Sequence, residues 1–193
     1  MRISFNTIYF LIVCSFIACA LFFTIKVVSF KQDVHQSNHF VASGESVTVI
    51  RVVDGDEVAV QHGRQRFVVR ILGIKSFDPT VHDPLFAPAA RLAYQYLKQE
   101  TQGRELRLIY YDWARDDKHR VLAYLHLDEC DVGLHMVEQG MSVVYERYPF
   151  ERMDAYLAEE QAAMQQKHGL WAYPAVVKRV LLLKRVWQQE AGE

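Results

Sequence analysis

Residues 46–74 read SVTVIRVVDGDEVAVQHGRQRFVVRILGI. Ser46–Val53 is rich in β-branched residues and stops at Asp54-Gly55, a strong two-residue turn signal. Glu57–Gln61 alternates, with Val58 and Val60 on one face, and runs into a second turn at His62-Gly63-Arg64. Arg66–Ile74 then reads as a third strand. Three consecutive short strands joined by tight turns predict an antiparallel meander.

Beyond it the period changes. Across Pro84–Gln102, Leu85, Ala89, Leu92, Ala93, Tyr96 and Leu97 recur at helical spacing, with Pro88 in the first turn and Gly103 at the close. Glu105–Tyr111 and Arg120–Leu127 predict a fourth and a fifth strand. Asp131–Gln139 predicts a short helix with Asp131 as N-cap and Gly140 as C-cap. Met141–Tyr145 is extended, and Arg152–Lys167 is a helix that Gly169 ends. Five strands with a helix between the third and fourth is the layout of an OB-fold barrel with added helices. The expected class is therefore α+β: a five-stranded barrel over residues 46–173.

The chain of 193 residues is 51% hydrophobic and 12% aromatic, which excludes a disordered polypeptide. A net charge of −1 offers a polyanion no global attraction, so any such site must be local. Residues 8–25 carry no charge, and that length is near the lower limit for crossing a bilayer. The apolar character resumes after Lys26 as far as Phe30. One N-terminal transmembrane helix within residues 1–30 is expected, with residues 8–30 as the membrane contact. The rival is a cleaved signal peptide with Ala18-Cys19-Ala20 at its end, but the apolar run continues past Ala20. Arg2 on one side and Lys26 and Lys31 on the other leave orientation nearly balanced, and an extracytoplasmic domain is the expectation. Residues 31–45 read as a flexible linker. Residues 174–193 read as a basic amphipathic helix, with Val176, Val180 and Leu183 on the apolar face and Lys178, Arg179, Lys184 and Arg185 on the rest. It suits an anionic lipid surface, or packing against the domain or a partner. Cys130 is the one cysteine outside the apolar segment, so the domain has no disulfide and no cysteine zinc cluster.

Four polar residues of the barrel could carry chemistry. Arg70 lies inside the third strand, and Arg120 follows the charged loop 115–119. Two arginines can hold a phosphate by forked hydrogen bonds and stabilise charge gathering on it. Asp78, after the third strand, could accept a proton from water. Asp56 could hold a hard cation such as calcium. Plainer readings stand beside these: Arg70 as a solvent-facing strand arginine, Asp56 as turn chemistry, and Arg120 paired with Asp116 or Asp117.

From about residue 46 to 173 the chain resembles the staphylococcal nuclease (thermonuclease-like) family. The likeness rests on an ordered set of short matches. These are Val53-Asp54-Gly55-Asp56, Arg70-Ile71-Leu72-Gly73-Ile74, Ala87-Pro88-Ala89-Ala90, the run from Asp117 to Tyr124 containing Arg120, Val137-Glu138-Gln139-Gly140, and Gly169-Leu170-Trp171. The resemblance implies an OB-fold and calcium-dependent hydrolysis of DNA and RNA. It puts Asp56 on a calcium ligand and Arg70 and Arg120 on the two phosphate-binding arginines.

The next family motif, Asp-x-Pro-Glu, appears here as Lys75-Ser76-Phe77-Asp78. Lys75 stands where the resemblance expects a second calcium ligand, and Asp78 where it expects the glutamate base. Exchanging a carboxylate for an ammonium changes the site by two charge units. Altered or lost calcium dependence follows, with Lys75 expected to pair with Asp56 and fill the vacated place. Three functions compete: a membrane-tethered phosphodiester hydrolase acting on DNA or RNA, preferably single-stranded; an OB module that binds nucleic acid without cutting it; and a structural domain displayed at a membrane.

Overall fold

The computed structural model describes residues 41–77 and 84–191, together with Phe16 and Leu21. Chain contacts separate residues 1–40 from a second unit, 41–193. Phe16 and Leu21 are helical and exposed; otherwise the expected membrane segment 8–30 lies outside the described residues. Among the described residues no helix is long and apolar enough to cross a membrane. The expected linker 31–45 is described only from Val41. There the chain has joined the second unit, because Val41 is buried in its core and the Gly44 N–H donates to the Leu108 carbonyl at 2.8 Å.

Five strands form a closed barrel: β1 (Ser46–Asp54), β2 (Glu57–His62), β3 (Gln65–Ile71), β5 (Glu105–Arg115) and β6 (Val121–Leu127). Hydrogen-bonded neighbours run β3-β2-β1-β5-β6, and β3 then pairs with β6 in parallel to close the ring, with Arg70 opposite Leu122. Closure leaves the barrel without open sheet edges. Val47, Val49 and Val52 of β1 point inward. The step from a spacing of two to three marks a β-bulge, since Val49 faces Val60 while Arg51 faces Ala59. The interior is filled by branched residues such as Val58, Val60, Val69, Ile71, Leu106, Leu108 and Leu125. The helix α1 (Ala87–Thr101) joins them through Ala93 and Leu97, and Pro88 sits in its first turn as expected.

The expected third strand, Arg66–Ile74, divides. It turns at Leu72-Gly73, and Ile74–Lys75 forms a separate short strand, β4, against β8 (Val143–Val144). Lys75 faces Val143 in this pairing. After β6 come β7 (Cys130–Asp131) and α2 (Val132–Glu138), whose first turn is capped by the Asp131 carboxylate. The helix α3 (Met153–Gln166) ends on Lys167 in left-handed conformation, not at Gly169. Gly169 instead opens a 3-10 turn (Gly169–Ala172) pressed against Gly140. A Cβ on Gly140 would lie 2.2 Å from the His168 oxygen, and one on Gly169 2.3 Å from the Gly140 oxygen. Two backbones meet there, which accounts for the glycine in each of two matched motifs.

The terminal helix α4 (Pro174–Ala191) buries Val176 and Val180 beside Leu170 and Trp171. Its basic face is less uniform than the sequence suggests. Lys184, expected on the solvent side, is buried and ion-paired with Glu146 and Glu160.

Candidate active site

The Asp54-Gly55-Asp56-Glu57 corner places two acids differently. Asp56 is fully buried, and Glu57 opens β2 directly opposite Arg70 of β3. Gly55 is required by close approach, since a Cβ there would lie 2.7 Å from the Ser76 Cβ. That proximity lets the Ser76 N–H donate to Asp56 Oδ2 at 2.9 Å and the Ser76 hydroxyl donate to the Gly55 carbonyl at 2.8 Å. The chain after β3 is thereby tied to the corner.

Arg70 reaches the same carboxylate from β3, with Nη1 3.2 Å from Asp56 Oδ1. The Lys75 ammonium lies 3.4 Å from Asp56 Oδ2, the pairing expected if lysine fills a vacated ligand place. Arg120 sits one residue before β6 instead of opening it. Its loop is built by Asp116, whose Oδ1 accepts the N–H groups of Lys118 and Arg120 and whose Oδ2 accepts Arg120 Nε at 2.7 Å. Of the two partners weighed for Arg120, Asp116 is the one it takes. Asp78 lies outside the described residues.

Glu57 was not singled out from the sequence. Its carboxylate lies 3.5 Å from Arg70 Nη1 and is hydrogen-bonded to Arg120, so one acid joins the two arginines. The signal was its position next to Asp56 and across the turn from Arg70, but its contact with Arg120 exists only in the closed barrel. Arg70, Lys75, Arg120 and Glu57 line a cavity of about 880 Å³. Its lining is also aromatic, with Tyr145, Tyr148 and Trp187 among others. Two guanidiniums and an ammonium on one cavity lining are groups of the kind that hold a phosphate, and here internal carboxylates pair with them.

A family profile described as Staphylococcal nuclease homologue matches residues 68–173, more than half of the chain. The chain belongs to that family. Among its relatives is a thermonuclease of Staphylococcus intermedius, 24% identical over 129 residues that cover 66% of this chain and 77% of the relative. An uncharacterized endonuclease of Escherichia coli is 29% identical over 125 residues, covering 64% and 75%. A probable endonuclease lcl3 of Pyrenophora tritici-repentis is 30% identical over 125 residues, covering 61% of this chain but only 45% of the relative.

The family implies calcium. Asp54, Asp56 and Glu57 each bring a carboxylate oxygen to within 4.8 Å of the others. The partners of those oxygens argue against a divalent ion in this arrangement. Asp56 Oδ1 is held by Arg70, Oδ2 by Lys75 and Ser76, and Glu57 by both arginines. Calcium takes six to eight oxygens, and its affinity rises with the number of carboxylates it can use. A unit positive charge ~4 Å from another is repelled by about 4 kcal/mol at an effective dielectric of ~20, and a divalent ion doubles that. A calcium ion at this acidic group would have to displace Arg70, Lys75 or Arg120 from the Asp56 and Glu57 carboxylates.

Proposed function

We propose that this chain is a nuclease that hydrolyses phosphodiester bonds of DNA or RNA, single strands by preference, with altered or no dependence on calcium. The observation carrying the reading is the convergence of Arg70 and Lys75 with the distant Arg120 on the lining of one cavity. Arg70 and Arg120 bind the phosphate and stabilise charge that develops on it as water attacks phosphorus and the P–O bond to the leaving group breaks. Lys75 supplies a positive charge where a metal would otherwise stand, held in place by buried Asp56. Asp78 is assigned as the base that takes the proton from water. The thermonuclease and endonuclease names of the relatives support this reaction class. The uncharged run 8–25 supports a membrane anchor, and display of the domain on the extracytoplasmic side is part of the proposal.

One observation favours a second reading, a binding module without cleavage: Glu57 already occupies the arginine pair. The two separate in one assay, with single-stranded DNA and RNA incubated with the protein in calcium, magnesium, manganese or chelator. The nuclease reading expects cleavage in chelator, or with magnesium or manganese in place of calcium, that is abolished in Arg70→Ala. Binding without cleavage selects the module. Calcium-dependent cleavage that appears only in Lys75→Asp would show that the lysine had disabled a metal site. A protein that neither binds nor cuts refutes both readings.

A further inference from the structure

We propose that Trp187 is a nucleobase-stacking residue of this cavity and sets its preference for single-stranded nucleic acid; the inference rests on the phosphate-binding reading above. Trp187 belongs to α4, which begins after the family match ends at residue 173. The helix is docked by buried Val176 and Val180 and by the Lys184 ammonium between Glu146 and Glu160. Residues 180, 184 and 187 share one helical face, so the anchors that fix Val180 and Lys184 also turn Trp187 towards the barrel. There it lines the cavity that holds Arg70, Lys75 and Arg120.

The indole is half-buried and braced. The Tyr145 ring meets it edge-on, with centroids 4.9 Å apart at 81°. Tyr145 also meets Tyr148 at 6.1 Å and 68°, and the Arg147 guanidinium lies 5.4 Å above the Tyr148 ring. Arg147 in turn reaches back to Glu190 of α4 at 3.3 Å. An aromatic ring already held by a neighbouring ring on a docked helix spends little entropy on binding a flat partner. Beside a phosphate clamp, the flat partner with the right chemistry is a base of the same strand. The cavity is near the upper end of the ~300–1,000 Å³ usual for ligand sites, so it has room for a base as well as a phosphate. A base in a duplex is stacked on both faces and has none to offer. Stacking on Trp187 would therefore select unpaired strands without selecting sequence.

The test measures binding of a labelled single-stranded oligonucleotide to the full-length chain by fluorescence anisotropy. A mild detergent keeps the protein in solution and a chelator is present throughout. Loss of one stacked base predicts that Trp187→Ala binds about fivefold to a hundredfold more weakly. Trp187→Leu, which keeps an apolar side chain on the docked face, should be as weak, and Trp187→Phe should restore most of the affinity. An oligonucleotide of abasic residues should bind wild type and Trp187→Ala alike. Arg70→Ala separates the two readings. If it weakens binding while Trp187→Ala and Trp187→Leu match wild type, the stacking role is overturned and the clamp stands. If Trp187→Leu binds like wild type and only Trp187→Ala is weak, packing and not stacking is the cause, and the proposal fails. If none of these variants changes binding, or wild type does not bind, the clamp and the stacking role fall together.

Discussion

Glu57→Gln should tighten the grip on nucleic acid while weakening the fold. Glu57 links Arg70 and Arg120, and the three side chains are only 14%, 11% and 13% exposed. A phosphodiester that takes both guanidiniums must displace this carboxylate. The Arg70 contact is long, at 3.5 Å, so the main loss is the one charged hydrogen bond to Arg120. Such a bond contributes about 1.5–3 kcal/mol net, equivalent to roughly tenfold to a hundredfold in affinity. Glutamine still occupies the space, so the lower end, about tenfold, is expected. In the absence of ligand the same change leaves two guanidiniums facing one another without a shared counter-charge. The melting temperature should therefore fall, by about 2–4 °C for each kcal/mol in a domain of this size. Anisotropy with a labelled oligonucleotide at low salt, in chelator, measures the first effect, and calorimetry the second. If Glu57→Gln binds no more tightly than wild type while its melting point drops, Glu57 is scaffolding for the arginines and does not compete with phosphate.

Other variants probe parts further from the clamp. Lys184→Met would leave buried Glu160 and partly buried Glu146 without their cation, and removing one partner of a buried ion pair costs about 3–5 kcal/mol. Amide protons of α4 should then exchange faster, and adding Glu160→Gln should slow them again; unchanged exchange in Lys184→Met would show that the ion pair does not hold the helix. Gly140→Ala forces a Cβ to within 2.2 Å of the His168 oxygen at a φ of +63°, so the urea midpoint should shift by the equivalent of about 2–4 kcal/mol. Burial lowers the pKa of His126 below its ordinary value, so the unfolded chain takes up this proton first as pH falls. The stability from neutral His126 is present above about pH 6.5 and is lost on acidification through the depressed value. His126→Gln should flatten the decline of melting temperature in that range, and a slope identical to wild type would refute the assignment.

Long periodic elements were legible in the sequence. The five barrel strands and four helices fall within a few residues of their expected places, because each has enough length to display a period of two or of 3.6. The two-residue strands β4, β7 and β8 are too short for any period and exist through their partners. The split of the third strand at Leu72-Gly73 was hidden for the same reason, since its apolar run continues through the turn. Asp56, Arg70 and Arg120 could be picked out as polar residues of the barrel, whereas Lys75 and its contact with Asp56 were expected only through the resemblance to the family motif. Glu57 could not be, because it sits where an alternating strand often carries a solvent-facing acid. Lys184 looked like part of a basic face for a similar reason: its carboxylate partners lie 24 and 38 residues earlier in the chain.

The parallel pairing of β3 with β6 also has a kinetic side. A chain folding from its N-terminus can complete the β1–β3 meander with Asp56 and Arg70 in place from local contacts, whereas Lys75 is fixed only when β4 finds β8. Arg120 arrives only when β6 crosses back to β3, a step that closes a long loop and so belongs to the slow, non-local part of folding. Until that moment the half-made barrel has one guanidinium where two are needed. A nascent or partly unfolded molecule would be unable to clamp a phosphate, so the capacity to attack nucleic acid would appear together with the finished fold and vanish with the first opening of that seam.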